Sequence, residues 1–262
     1  MAISPRLKQA IKKLLWRKPR PQTYEEDIYT RIVRPGDVCF DIGANRGRVS
    51  LLLAKLIATS NTGIVVAFEP VWPVYQRLCR SIQLDISVKA PIYTINAGIS
   101  NQETSGSIHV PDQHYSMGSM ATPEQWVAAQ NAATVVSYQA KFLTIDSFLV
   151  GTHLQPPDFI KIDVEGAELF VLQGAHEMFA AGARPLMLLE IFAPWEQAFC
   201  YQPCEPLSWL VERGYSLLFA YPEGLLEYVP TQVAPFPPNF DLGYNVVAYI
   251  PELHKERIKE LR

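Results

Sequence analysis

The stretch Asp37-Val-Cys-Phe-Asp41-Ile-Gly43-Ala-Asn45-Arg-Gly47 decides the fold. Asp37–Ile42 is a short run that is apolar on both parities, the pattern of a strand buried on both faces. An acid stands near its end, the loop Gly43–Gly47 follows, and the spacing from Val49 to about Ala58 predicts a helix. Strand, glycine loop and helix in that order open a βαβ unit, the building block of a parallel sheet.

Working outward, the alternation continues. Ile64–Phe68, Ile92–Ala97, Phe159–Ile162 and Leu186–Ile191 read as strands, with helices expected over Val74–Leu84 and Ala167–Phe179. Before the decisive stretch, Tyr24–Ile32 is expected to form a short helix ahead of a Pro35-Gly36 turn. The rhythm breaks between Ser100 and Val150. Residues 101–142 are taken as an insertion, with short strands at Ser107–Val110 and Thr134–Gln139 around a loop over His114–Thr122. From Pro185 onward ten of the 21 prolines fall in 78 residues, so the C-terminal part is expected in short pieces apart from a last strand over Gly243–Ile250.

Composition fits one large α/β domain over residues 23–262. The chain has 262 residues, 48% of them hydrophobic and 19% charged, which excludes disordered and collagen-like classes. No apolar run reaches the roughly 18–20 residues of a membrane span. A net charge of −3 is not that of a general nucleic-acid binder. That charge is unevenly spread. Residues 1–20 carry seven Lys or Arg and no acid, which leaves the rest of the chain at −10. Ile3, Leu7, Ile11, Leu14 and Leu15 recur there at helical spacing, so residues 1–22 read as a basic amphipathic arm. Such an arm either caps the domain's own apolar flank or lies on an anionic membrane surface. Cys39, Cys79, Cys200 and Cys204 make no disulfide or zinc framework, and the expectation is a reduced, cytoplasmic protein.

The chemistry is expected at the carboxyl ends of the strands, where open α/β sheets bind ligands. A dinucleotide fingerprint requires glycine at 43, 45 and 48; Asn45 and Arg48 break it, which counts against an NAD-dependent oxidoreductase. Asp41 beside the loop suits an ammonium or sulfonium better than a pyrophosphate. Glu69, ending the next strand, can accept both hydroxyls of a ribose, and Asn96-Ala97 is placed for adenine-edge contacts.

Four segments carry a family resemblance: the Asp41–Gly47 loop, Ala67-Phe-Glu-Pro70, Leu143-Thr-Ile-Asp146 and Asp158-Phe-Ile-Lys-Ile-Asp-Val-Glu-Gly-Ala-Glu168. Together they resemble FkbM-type methyltransferases, from about Asp37 to Ile191. The resemblance implies the Rossmann-like class I methyltransferase fold, with a seven-stranded, mostly parallel sheet whose last strand is antiparallel. It implies S-adenosylmethionine as cofactor, held by Asp41, Gly43, Asn45 and Gly47, by Glu69 with Pro70 for the ribose, and near Asn96 and Ala97 for adenine. It implies O-methylation of a hydroxyl on a sugar, glycan or secondary metabolite. A non-catalytic adenosine-ligand-binding module of the same fold stays open.

An alcohol attacks well only when a base removes its proton. Asp163, Glu190 and Glu165 are the candidate bases, in that order, because they follow strands facing the expected donor. Glu168 falls in the first turn of a helix and reads as a cap. His109, His114 and His153 are alternative bases. No full metal-ligand set is evident, and none is assigned. Trp72, Tyr115, Trp126, Trp195 and Tyr201 lie in or near loops where an acceptor would bind.

Overall fold

The computed structural model describes residues 21–58, 62–88, 90–111, 118–121, 134–221, 223–238 and 243–261. Residues 1–20 of the basic arm, His114, Tyr115 and Trp126 lie outside them, and Pro21 and Gln22 belong to the first helix. The strands are β1 (Val38–Ile42), β2 (Ile64–Phe68), β3 (Ile92–Ile95), β4 (Gly98–Ile99), β5 (Thr104–Pro111), β6 (Val135–Leu143), β7 (Phe159–Ile162), β8 (Leu186–Ile191), β9 (Ser216–Tyr221), β10 (Gly224–Glu227) and β11 (Tyr244–Tyr249). The helices are α1 (Pro21–Ile32), α2 (Arg48–Ile57), α3 (Trp72–Leu84), α4 (Ile145–Thr152), α5 (Glu168–Gln173), α6 (His176–Ala180), α7 (Ala193–Ala198), α8 (Glu205–Val211) and α9 (Pro251–Lys259).

The main sheet runs β10-β9-β11-β8-β7-β1-β2-β3. Strands β1, β2, β3, β7 and β8 are parallel, and β11 is antiparallel to both β8 and β9. This is the mostly parallel sheet expected, with one strand more than seven: β10 folds back antiparallel on β9 at the far edge. Within β1, Phe40 and Ile42 enter one core with Phe148, Leu172, Phe179 and Leu207. Cys39 enters the opposite core with Tyr29, Leu53, Ile57 and Phe159. A strand covered on both faces needs apolar residues on both parities, which is why β1 does not alternate.

Three local expectations change. The helix over 167–179 is two helices, because Asp146 accepts the Glu177 and Met178 N–H groups, at 2.9 Å each, and so starts α6 afresh. Both insertion strands are longer than expected and pair antiparallel along their length, from Thr104↔Phe142 to Pro111↔Val135. Together with β4 they make a three-stranded sheet ordered β4-β6-β5. Val71 and Val74 at the start of α3 pack against its Ile108, Val110 and Phe142. The proline-rich C-terminal part holds a central-sheet strand, β9, whose Leu217–Ala220 are all buried. No helix among the described residues is long and apolar enough to cross a membrane.

Candidate functional site

Strand order reverses between β1 and β7, so the chain leaves the two strands toward opposite sides and opens a crevice at their carboxyl ends. A cleft lies there, with Gly43, Asn45, Glu69, Pro70, Asp163 and Glu165 among the residues that line it.

The glycine loop is stitched to the neighbouring strand: the Gly43 and Ala44 N–H groups both donate to the Phe68 carbonyl, at 3.1 and 2.9 Å. Gly43 has φ +80°, and a Cβ there would stand 1.8 Å from the Asp163 carbonyl oxygen, so only glycine fits. Asn45 is also left-handed, at φ 49°, which turns its N–H onto Oε2 of Glu69 at 3.0 Å. Glu69 Oε1 accepts from the Val71 N–H at 2.9 Å. These backbone bonds fix the carboxylate at the cleft wall. Burial nevertheless lifts its pKa to about 7, against the lowering effect of the two N–H donors.

Asp41 does not line the cleft. It is wholly buried beneath the loop, where Oδ2 accepts from Ser50 Oγ and Oδ1 lies 3.5 Å from Lys161 Nζ. Lys161 donates to the Gly43 carbonyl at 2.8 Å and pairs with Asp163 at 3.0 Å. Burial works against its charge, but Asp163 and Asp41 outweigh that and hold it well above the ordinary lysine range. Asp41 therefore faces a lysine and supports the loop from below. Gly47 also lies outside the lining, at the start of α2. Asn96 uses its amide on the Glu69 and Pro70 carbonyls, at 2.9 and 3.2 Å, bracing that turn. Gly98 and Ile99 reach the cleft where Asn96 and Ala97 were expected to.

Beyond β7 the chain is dense in acids. Asp163 and Glu165 line the cleft; Glu190, on the neighbouring strand, does not, although its carboxyl stands beside Asp163. The Asp163 charge raises Glu190 well above the carboxylate range, whereas burial does so first for Glu165, with Asp163 and Glu190 adding. Glu168 takes the capping role: Oε1 accepts from the Val164 and Gly166 N–H groups, both at 3.2 Å. Among the described residues its other oxygen has no hydrogen-bond partner, and neither oxygen of the fully buried Glu196 has one. Burial first, and Glu168 second, lift Glu196 to about 10. Among the described residues no His, Cys, Asp and Glu side chains gather into a metal-ligand set.

The roof of the cleft comes from the insertion. Ile108, Gly118, Met120 and Phe142 line it. Ser119 pins it down, exchanging backbone hydrogen bonds with His109 and donating from Oγ to the Glu165 carbonyl at 2.8 Å. His109 Nδ1 is engaged with Ser137 at 2.9 Å, and His153 caps α4 with φ 56°. Trp195 and Tyr201 are buried, so neither offers a face to an acceptor; Trp72 is half exposed and stacks on Tyr75.

Sequence reasoning missed Lys161, Ser119 and Glu196. A lysine inside the run Phe159-Ile-Lys-Ile162 is itself a signal, because a buried strand carries a charge only when partners await it. No comparable signal marks Ser119.

A family model described as the methyltransferase FkbM domain matches residues 41–217. No curated protein matches the sequence. Among solved structures, the chain is similar to methyltransferase FkbM from Methylobacillus flagellatus KT, with 16% identity and a TM-score of 0.46 over 88% of this chain and 50% of that one. The chain thus spans about half the length of that structure. It is also similar to magnesium protoporphyrin IX methyltransferase (ChlM) from Synechocystis PCC 6803, solved with bound SAM: 10% identity, TM-score 0.45, 95% of this chain and 86% of that one. A putative methyltransferase from Streptococcus mutans in complex with SAH gives 9% identity and a TM-score of 0.44 over 88% and 97% of the two chains.

Proposed function

Because the chain belongs to the FkbM methyltransferase family, we propose that it transfers a methyl group from S-adenosylmethionine to a hydroxyl of a sugar, glycan or secondary metabolite. The observation that carries the donor half of this reading is the acidic lining of the cleft: among the described residues the carboxyl groups of Glu69, Asp163 and Glu165 line it and no Lys or Arg does. Such walls favour a ligand bearing a sulfonium and an ammonium and disfavour a pyrophosphate, which weighs against a nicotinamide dinucleotide. The residues fit the donor in a second way. Each oxygen of Glu69 uses one lone pair on a backbone N–H and keeps capacity for a ribose hydroxyl.

When bound, the donor supplies an electrophilic methyl group on a sulfonium. The protein's work is to hold the acceptor hydroxyl in line with it, to exclude water and to receive a proton. Asp163 is the base in this reading: it lines the cleft, and Lys161 fixes its carboxylate from beneath. The acceptor proton passes to Asp163 as the oxygen attacks. Glu165 and Glu190 are held toward their neutral forms by burial and by the Asp163 charge respectively. The apolar roof of Ile108, Met120 and Phe142 excludes water and gives the acceptor a face to pack on.

Calorimetric titration with S-adenosylmethionine, S-adenosylhomocysteine and NAD tests this. Micromolar binding of the first two, lost in Glu69→Ala, supports the donor site; binding of NAD alone overturns it. Donor binding without turnover on any hydroxyl acceptor leaves the adenosine-binding module as the function.

A further inference from the structure

Away from the cleft, the stretch between Asp41 and Asp85 carries five cations and a single carboxylate, Glu69, in a body that is otherwise acidic. Two of those cations turn to other surfaces: Arg48 pairs with Glu25 and Glu26, and Lys55 with Asp85. The other three converge. Arg46, Arg77, Arg80, Ser81 and Leu84 line one shallow depression on the outer surface.

The convergence follows from local geometry. Positions 77, 80, 81 and 84 recur at i, i+3, i+4 and i+7 and form one stripe of α3. The glycine loop touches that helix, since Gly47 has φ +84° and a Cβ on it would stand 2.6 Å from Leu78 Cδ1. With Asn45 left-handed and turned inward onto Glu69, Arg46 faces outward over the stripe and is exposed. Among the described residues neither Arg46 nor Arg80 takes part in an ion pair, and no carboxylate lines the depression. Like charges gathered in this way repel one another, and a bound anion relieves that repulsion.

We propose that Arg46, Arg77 and Arg80 form a binding site for a phosphoryl group, separate from the cleft. Guanidinium groups bind phosphate oxygens in pairs of parallel hydrogen bonds. The phosphoryl group belongs either to a free phosphorylated compound or to the headgroup of an anionic lipid. Leu84, 71% exposed at the rim, and Ile86, 96% exposed beyond it, are the side chains that a lipid surface would cover.

The test titrates the full chain with inorganic phosphate and pyrophosphate at low ionic strength. In parallel it measures co-sedimentation with phosphatidylcholine vesicles made with and without phosphatidylglycerol. Three variants accompany it: Arg46→Glu, the double change Arg77→Glu/Arg80→Glu, and Lys255→Glu on distant α9 as a control for net charge. All four side chains are exposed, so each variant should keep the parent's thermal midpoint, which is measured alongside. The expected result is pyrophosphate binding weakened about tenfold or more in both arginine variants and unchanged in the control. Loss of binding only to the phosphatidylglycerol vesicles, in the same two variants, identifies a headgroup site. No binding to either probe, or binding that the arginine variants leave intact, overturns the proposal.

Discussion

Lys161 Nζ lies 3.0 Å from Asp163 Oδ2 and 3.5 Å from Asp41 Oδ1, so one buried cation joins the carboxyl ends of β1 and β7. Asp41 and Lys161 are register partners in the two strands, which places the charges side by side. Breaking a buried pair by removing one partner costs about 3–5 kcal/mol, because the other is left uncompensated. Lys161→Met is expected to lower the urea-unfolding free energy by that amount. A loss below about 1 kcal/mol would show that water, not Lys161, balances the two carboxylates.

Gly43 allows a second measurement. Gly43→Ala meets both a positive φ and the Asp163 carbonyl, whereas Gly182→Ala meets a positive φ of +94° and nothing within 4 Å. The first is expected to destabilise by roughly 3 kcal/mol or more and the second by about 1 kcal/mol, so the difference reports the close approach alone. Equal losses by denaturant titration would mean that the loop moves off β7 at little cost.

Donor affinity should depend on the state of Glu69. With its pKa near 7, Glu69 is largely neutral at pH 6 and ionised at pH 8, and the ionised form accepts two ribose hydroxyls better. S-adenosylhomocysteine is expected to bind more tightly at pH 8 than at pH 6. Glu69→Gln should bind about tenfold more weakly and lose that pH dependence. A parallel pH profile in wild type and variant would assign the titration elsewhere.

Stability should fall as the solution becomes alkaline. Glu196 is fully buried and raised from 4.5 to about 10, so the fold favours its neutral form. Its contribution is fully present below pH 4.5 and is lost as pH rises toward 10, because the unfolded chain releases the proton first. Glu196→Gln keeps the shape without the charge. It should leave stability at pH 5 little changed and add roughly 2–4 kcal/mol at pH 9. An unchanged difference between the two pH values would mean that Glu196 keeps its proton through another partner.

Strands β1, β2 and β8 could be read from the sequence because each carries an apolar run and is followed by a helix. Strand β9 was missed because prolines surround it, although Ser216–Tyr221 is itself apolar; local composition outweighed a run that only its partners β10 and β11 make a strand. The break between α5 and α6 was missed because its cause, Asp146, lies some thirty residues away in sequence. At the site, Glu69 and the glycine loop declared themselves through their position after strands. Asp41 did so too, but it lies beneath the loop and outside the cleft lining: the residue type showed a charge, and only the packing of β7 showed that Lys161 answers it. The roof was out of reach, since nothing in Gly118-Ser-Met120 announces a contact with Glu165.

That roof belongs to a different sheet and a different hydrophobic cluster from the floor it covers. Ser119, Ile99 and Leu143 tie the two together, whereas Ile108 and Phe142 belong to the roof's own cluster, and changes that share no partner add nearly independently. A lineage can therefore re-cut the Ile108, Met120 and Phe142 surface, and with it the shape of the entering molecule, while inheriting the strand ends beneath unaltered. Descent from a common ancestor would then leave the floor as shared ground and the roof as the place where relatives part.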